Sequence, residues 1–176
     1  MSKNESRAYP NQRFPIPALS ELARQFVGRR IQSTSATIEA YHQLVKKMGK
    51  SVIVAHSEGA RHAMKIATLA PENVAALVLV EPAGAPDLAD VEFSKLAGIP
   101  HLVVWGDHFQ ESELWANYRH QCDKWFEAFS VSGGRVDVID LPKLGIYGNS
   151  HLLMMDENSD EIAAMVTAWL ERHLKI

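Results

Sequence analysis

A serine flanked by small residues is the first feature of the sequence that could support chemistry. Ser57 lies in the segment AHSEG, after a β-branched run at 51–55 and before an alanine-rich helical pattern at 58–70. Ala55 and Gly59, two positions to either side, are small, as expected where a sharp turn leaves no room for larger side chains. Such a turn lifts the hydroxyl above the C-terminal edge of a parallel sheet. The segment predicts a nucleophilic serine; the alternative is a serine that only caps the helix.

A serine hydroxyl becomes a nucleophile when a base removes its proton and an acid orients that base. His151, in the loop segment GNSH, is the predicted base; the alternative is a surface or capping histidine. Glu81 directly follows the apolar run AALVLV and is the predicted acid. Asp107 follows the next apolar run and is the alternative acid, or a residue that caps the turn. The order serine, acid, histidine is the one that this kind of sheet requires.

The negative charge that develops on the attacked carbonyl oxygen needs two hydrogen-bond donors, which form the oxyanion hole. We predict the backbone N–H of Glu58 as one donor, because Glu58 follows the nucleophile. The second donor normally comes from a loop after an earlier strand, and residues 1–50 contain no pattern for such a strand or loop. The residues that we expect to line the substrate pocket are His56, Trp105, Phe109, Leu152 and Met154.

The elements that must position these residues follow from hydrophobic periodicity. Strands are predicted at 51–55, 75–80, 100–105 and 136–141, and helices at 18–28, 34–49, 58–70, 111–130 and 157–173. Strands that alternate with helices indicate an α/β fold, a three-layer parallel sheet of about four strands flanked by helices. Ligands of such sheets gather beyond the C-terminal strand ends, where the candidate residues lie.

The same periodicity predicts which side of each helix is buried. The predicted apolar stripes comprise Leu19, Leu22 and Phe26; Ile38, Tyr41, Leu44, Val45 and Met48; Leu114, Tyr118, Cys122, Trp125, Phe126 and Phe129; and Ile162, Met165, Val166, Trp169 and Leu170.

Composition excludes several classes of function. The chain has 176 residues, 47% of them apolar, and a formal net charge of −3, which suits a globular domain and argues against nucleic acid as a partner. Its one cysteine, Cys122, excludes an internal disulfide framework. No apolar run is long enough to span a membrane, and no signal-peptide core precedes residue 17. We therefore expect a cytoplasmic chain, or a periplasmic or secreted one if the native gene starts upstream.

Neither a cofactor nor a metal is predicted. The glycines do not form a phosphate loop or a dinucleotide-binding fingerprint. The candidate metal ligands would be His101, Asp107, His108 and His120. His101 and Asp107 lie at opposite ends of one predicted strand, roughly 20 Å apart, which is too far for a shared ion.

Four separated motifs resemble the C-terminal half of an α/β hydrolase, and in particular small bacterial esterases with a Ser-Glu-His triad. They are AHSEG at 55–59, VEP at 80–82, VWGDH at 104–108 and GNSH followed by LLMMD at 148–156. The resemblance implies Ser57 as nucleophile, Glu81 as acid and His151 as base, and it implies that the segment 13–30 caps the active site. The relatives usually have a neutral residue after the nucleophile, so the carboxylate of Glu58 would discourage anionic substrates.

The resemblance also implies that the first half of the fold is absent. We expect one N-terminally truncated domain at 1–176, with an arm and a cap-like helix at 1–33 and a core at 34–176. The strand at 51–55 would then have an unpaired apolar edge, which favours a homo-oligomer.

The leading hypothesis is a serine esterase that acts on a small carboxylic ester through an acyl-enzyme. The alternative is a catalytically incomplete fragment that acts only as a binding or association module.

Overall fold

The computed structural model describes residues 8–9, 11–28, 34–89 and 91–174. Within this part of the chain, four strands form one sheet: β1 (Ser51–His56), β2 (Val74–Val80), β3 (His101–Trp105) and β4 (Val136–Asp140). The α-helices are α1 (Leu19–Ala23), α2 (Thr34–Met48), α3 (Glu58–Leu69), α4 (Glu113–Val131) and α5 (Ser159–Leu174). Short 3₁₀ helices lie at Ile16–Ala18, Pro71–Asn73, Phe93–Lys95, Phe109–Glu111, Leu141–Leu144 and Leu153–Met155.

The sheet is parallel throughout, and its spatial order, β1-β2-β3-β4, follows the chain. The last residue of β1, His56, is in register with Val80 at the end of β2, which is in turn in register with Val104 near the end of β3. Because the strands are parallel, the residues that follow β1, β2 and β3 emerge at one edge of the sheet. The described part of the chain leaves β1 and β4 at the two sides of the sheet.

The core consists of two apolar layers, one on each face of the sheet. Leu77 and Leu79 of β2 pack with the buried faces of α2, α3 and α4. Ala76 and Val78, which point to the opposite face, pack with Ile162 and other residues of α5. Strands buried on both faces read as continuous apolar runs, which explains the sequence of β2. The predicted three-layer α/β fold is confirmed.

The prediction of a helix over 18–28 is wrong in extent. α1 ends at Ala23, and Phe26 is 72% exposed while Leu19 is also exposed. A helix of five residues makes little more than one turn, so Leu19 and Phe26 do not share a buried face. The other predicted helix and strand boundaries differ from the structure by three residues or fewer.

Besides Leu19 and Phe26, three more residues of the predicted helical stripes are exposed: Leu44, Met48 and Leu114. Val45 of α2 and Trp125 of α4 are buried on the same helices, so the spacing identified the correct general side of each helix. Periodicity groups residues on one face, but it does not determine how much of that face the neighbouring layer covers.

Candidate active site

Ser57 occupies the sharp turn between β1 and α3. Its backbone has φ 56° and ψ −124°, a left-handed conformation that costs a residue with a side chain about 1–3 kcal/mol. Two hydrogen bonds secure the turn: the Ser57 N–H donates to the Val80 carbonyl (3.0 Å), and the Ala83 N–H donates to the Ser57 carbonyl (3.1 Å). The turn therefore depends on the neighbouring strand β2 and on the segment that follows it.

The expectation that Gly59 is small for lack of space is wrong. A Cβ atom at Gly59 would meet no described atom within 4 Å, and Gly59 does not have a positive φ. Gly59 lies in the first turn of α3. A position without room for a side chain is found instead at Gly106, the residue that follows β3.

The structure brings together the three residues predicted to form a triad. Nε2 of His151 lies 3.0 Å from Oγ of Ser57, and Nδ1 of His151 lies 2.6 Å from Oε2 of Glu81. The other oxygen of Glu81, Oε1, accepts a hydrogen bond from the Gly106 N–H at 2.7 Å. The hydroxyl, the imidazole and the carboxylate thus form one continuous hydrogen-bonded chain across the C-terminal edge of the sheet.

Glu81 is buried and has a left-handed backbone, with φ 43°. Burial raises its pKa to about 9; the charge of Asp156 acts in the same direction, whereas the Gly106 N–H and Arg119 act against it. Burial also lowers the pKa of His151 to about 4. Both shifts arise because burial disfavours charge on either group. A neutral imidazole at pH 7 is the form that a general base requires.

Buried polar side chains anchor the loop that carries His151. Oδ2 of Asp156 accepts hydrogen bonds from Nδ2 of Asn149 (2.9 Å) and from the Ser150 N–H (2.8 Å), and Oδ1 accepts from the Ser150 hydroxyl (2.7 Å). Asn149, which is fully buried, also donates to Asn158. No local sequence pattern indicated that Asp156 and Asn158 support this loop, although Asp156 ends the LLMMD motif.

Asp107, the alternative acid, contacts backbone groups. Its Oδ1 accepts a hydrogen bond from the His108 N–H at 2.8 Å, and its Oδ2 accepts one from the Gly148 N–H at 2.9 Å. The second bond joins the end of β3 to the loop of His151. Both carboxylate oxygens of Asp107 are therefore engaged by the main chain, while the imidazole of His151 is bonded to Glu81.

The start of the segment predicted to cap the site is attached to the same loop. The Arg13 N–H donates to the Gly148 carbonyl (2.8 Å), and the Glu157 N–H donates to the Arg13 carbonyl (3.1 Å). Gly148 has φ 83°, and a Cβ atom there would collide with the Asn11 carbonyl. Residues 29–30 of the predicted cap, and residues 1–7, 10 and 31–33 of the predicted arm, lie outside the described residues.

A cavity of about 170 Å³ lies beside His151 on the side of Glu81. Its lining is Tyr9, Glu81, Asp107, His108, Phe109, Ser112, Trp115 and His151. The ring of Trp115 lies 4.2 Å from that of His151, and Tyr9 stacks on His108 at 3.7 Å. Tyr9, Ser112 and Trp115 were not predicted to line a pocket, because nothing in their local sequence patterns indicates a place next to the imidazole.

Of the predicted pocket residues, Phe109 lines this cavity, whereas His56, Trp105, Leu152 and Met154 do not. Trp105 is buried in the core, packed edge-on against Phe109 at 4.9 Å, because it is the last residue of a strand covered by α4. Met154 lines a separate cavity beneath the segment 14–25, together with Met155. Leu152 is half-buried, one residue after His151. His56 contacts His151 directly, with the two rings 4.4 Å apart.

The backbone of Glu58 begins α3 immediately after Ser57. The first four N–H groups of a helix have no intrahelical partner, so the Glu58 N–H is free to bind a ligand atom near Oγ. In the described residues before β1 the elements are helical, and none is a strand that could supply the second donor. Among the described residues, histidine, cysteine and acidic side chains do not gather into a group able to hold a metal ion.

The elements and the residues at the sheet edge are similar to those of an α/β-hydrolase-like esterase. The structure of a bacterial esterase is similar to this chain with a TM-score of 0.85 and 32% sequence identity, covering 96% of this chain and 54% of the esterase. A carboxylesterase from Mesorhizobium loti shares the fold, with a TM-score of 0.56 and 23% identity over 80% of this chain and 62% of that protein.

A sequence relative agrees with the structural neighbours. A probable secreted lipase of a fungal species is 23% identical over 80% of this chain and 51% of the lipase. No protein-family model matches the chain. The predicted resemblance to α/β-hydrolase esterases is confirmed, and the chain spans about half the length of the bacterial esterase and of the fungal lipase. None of the helices described is both long and apolar enough to cross a membrane.

Proposed function

We propose that the protein hydrolyses carboxylic esters, with Ser57 as nucleophile, His151 as general base and Glu81 as the acid that orients it. The observation that carries this proposal is the hydrogen-bonded chain from Oγ of Ser57 through both ring nitrogens of His151 to Glu81, at 3.0 and 2.6 Å. These distances lie within the range over which a base takes a proton from a nucleophile. Similarity to an esterase and a lipase supports the same class of substrate.

In the first half of the reaction, Oγ of Ser57 attacks the ester carbonyl while Nε2 of His151 accepts its proton. The Nδ1–H of His151 donates to Oε2 of Glu81, which keeps Nε2 unprotonated before the attack and stabilises the imidazolium afterwards. The C–O bond to the alcohol then breaks, and Nε2–H returns its proton to the departing oxygen. The product of this half is an acyl group on Ser57.

Water completes the cycle by the same steps. Nε2 of His151 takes a proton from the water, the water oxygen attacks the acyl carbon, and the Oγ–acyl bond breaks as Ser57 regains its proton. The backbone N–H of Glu58 donates to the oxyanion in both halves. The side chain of Glu58 is a carboxylate close to this point, so neutral esters are the favoured substrates over anionic ones.

The cavity beside His151 is the proposed site for the alcohol part of the ester, because the leaving oxygen must lie within reach of Nε2. A volume of about 170 Å³ corresponds to roughly five or six non-hydrogen atoms, taking about 30 Å³ for each water-sized group. Most of the exposed surface that lines the cavity is apolar, so a small apolar alcohol is the proposed leaving group.

The first test is covalent labelling with a fluorophosphonate, which reacts only with an activated serine. The folded chain is expected to be labelled once per molecule, and the Ser57→Ala variant is expected to lose the label completely. Ser132→Ala, at the exposed end of α4, is the matched control and should be labelled like the parent chain. Labelling that persists in Ser57→Ala contradicts the assignment.

The second candidate function is an association module without turnover. It is favoured by the lack of a strand in the described residues before β1, which leaves the second oxyanion donor unassigned. Loss of one oxyanion donor costs roughly 100- to 1000-fold in turnover. Labelling at Ser57 combined with turnover of activated esters below about one-hundredth of a typical esterase rate would support this second function.

A further inference from the structure

His56, the residue before the nucleophile, is hydrogen-bonded to the main chain of the base. Its Nε2 lies 2.7 Å from the carbonyl oxygen of His151, 95 positions away in the chain. The ring is half-buried, and it lies 4.4 Å from the ring of His151 at an angle of 42°. The proposed mechanism makes no use of this contact.

The contact has a geometric consequence because His56 and Ser57 are adjacent. Oγ of Ser57 contacts Nε2 of the His151 side chain, and Nε2 of His56 contacts the carbonyl oxygen of His151. Two neighbouring residues at the end of β1 thus attach to the same loop residue at two points. Asp156 fixes the two residues before His151, and the bond from His56 attaches the main chain of His151 itself.

The chemistry of the contact determines the form of His56. A carbonyl oxygen only accepts, so Nε2 of His56 must carry the hydrogen, and in the neutral ring Nδ1 is then unprotonated. Burial lowers the pKa of His56 and the nearby ring of His151 acts in the same direction, whereas the hydrogen bond to the His151 carbonyl raises it; the net shift is downward and favours the neutral ring. A neutral ring does not repel the imidazolium that forms on His151 during the reaction.

We propose that His56 is a positioning residue: its Nε2–H holds the carbonyl of His151 and thereby sets the distance between the base and Ser57. This inference rests on the proposed function, since it assigns a role relative to the Ser57–His151 pair. It does not make His56 a group that touches the reacting atoms.

Two substitutions separate positioning from general packing. A glutamine side chain carries an N–H donor close to where Nε2 of histidine lies, whereas a leucine side chain has similar bulk without a donor. We expect His56→Leu to slow fluorophosphonate labelling about ten- to hundredfold, the effect of a displacement of about 1 Å, and His56→Gln to recover most of the rate. His120→Leu, at an exposed position on α4, is the control and should react like the parent.

A second readout does not need a reactive serine. In ¹⁵N spectra of the histidine rings, we expect His56 to be the Nε2–H tautomer, and the ring signals of His151 to move in His56→Leu but to return towards the parent positions in His56→Gln. An Nδ1–H tautomer for His56 would overturn the proposal. So would equal labelling rates for the parent and His56→Leu, or equal impairment of the leucine and glutamine variants.

The two readouts distinguish failure of this inference from failure of the proposed function. A folded parent chain that resists labelling contradicts the esterase proposal, and the ring spectra then decide the role of His56 alone. A labelled parent whose leucine variant keeps its rate contradicts only the role of His56. Should His56→Leu fail to fold, the tautomer in the parent and the rate of His56→Gln still decide.

Discussion

Gly106 both donates a hydrogen bond to Glu81 and leaves the space that Glu81 occupies. Its N–H donates to Oε1 at 2.7 Å, and a Cβ atom on Gly106 would collide with that same oxygen. The residue that follows β3 must therefore be a glycine if the carboxylate of Glu81 is to stay in contact with His151. A glycine is needed here because the carboxylate of Glu81 lies close to its backbone, and not because of its φ, which is outside the left-handed region.

Gly106→Ala is accordingly expected to displace the carboxylate of Glu81 and to lower ester turnover by about ten- to hundredfold, as a shift of about 1 Å in a reacting group does. Steady-state kinetics with an activated ester would measure the loss. Gly98→Ala is the control, because a Cβ atom there meets no described atom within 4 Å. Unchanged turnover in Gly106→Ala would mean that the position of Glu81 is not critical.

Glu81→Gln and Asp107→Asn separate the two candidate acids. We expect Glu81→Gln to lower kcat by about 10⁴-fold, because an amide cannot hold the correct tautomer of His151. Asp107→Asn keeps one acceptor oxygen for its two backbone donors, so we expect a loss of about 1–3 kcal/mol in the free energy of unfolding with a much smaller effect on kcat. Kinetics and denaturant unfolding measure the two effects, and the reverse ranking in kcat would move the acid role to Asp107.

The pH dependence of kcat/KM follows from His151. The base works only when neutral, and a lowered pKa makes it neutral at lower pH, so the rise of kcat/KM with pH should lie below the ordinary histidine value of 6.5. This rise also requires Glu81 to be ionised, which the Gly106 N–H and Arg119 favour and burial opposes. A rise near pH 9, the value to which burial raises the pKa of Glu81, would instead show that Glu81 holds a proton at neutral pH.

The size of the cavity predicts selectivity for the alcohol. Ser112 lines the cavity and makes no side-chain capping bond to α4, so replacing it leaves that helix end intact. We expect Ser112→Leu to lower kcat/KM for butyl esters about tenfold or more relative to methyl esters of the same acid, the usual effect of crowding a methylene-sized space. Ser132→Leu is the control, and an equal effect on both esters would argue that the alcohol lies elsewhere.

The exposed side of β1 leads to a proposal about association. Val54 is 62% exposed on a strand that has no second neighbour among the described residues. We propose that copies of the chain associate through this edge, and we expect size-exclusion chromatography to show a species larger than a monomer. Val54→Lys should shift it towards the monomer, because a lysine on an edge strand opposes pairing. Val131→Lys, at an exposed valine on α4, should leave the profile unchanged, and a monomeric parent chain would refute the proposal.

The order of the elements and the position of Ser57 could be predicted from the sequence because they depend on local patterns. A β-branched run followed by AHSEG and an alanine-rich segment predicts a strand, a turn and a helix without knowledge of the rest of the chain. Parallel strands place their following residues at one edge, so the meeting of Ser57, Glu81 and His151 could also be expected. The prediction for α1 failed because a five-residue helix leaves too few residues for periodicity to have meaning.

What only the tertiary structure decided concerns residues that meet without a common local pattern. The roles of Gly106, His56 and Trp115 depend on their contacts with Glu81 and His151, which are far from them in the chain and meet them at the sheet edge. Trp105 looked like a pocket residue, yet it packs in the core because α4 covers the end of β3. Periodicity in a sequence reports which residues share a face, whereas contacts between residues far apart in the chain depend on the packing distances between whole elements.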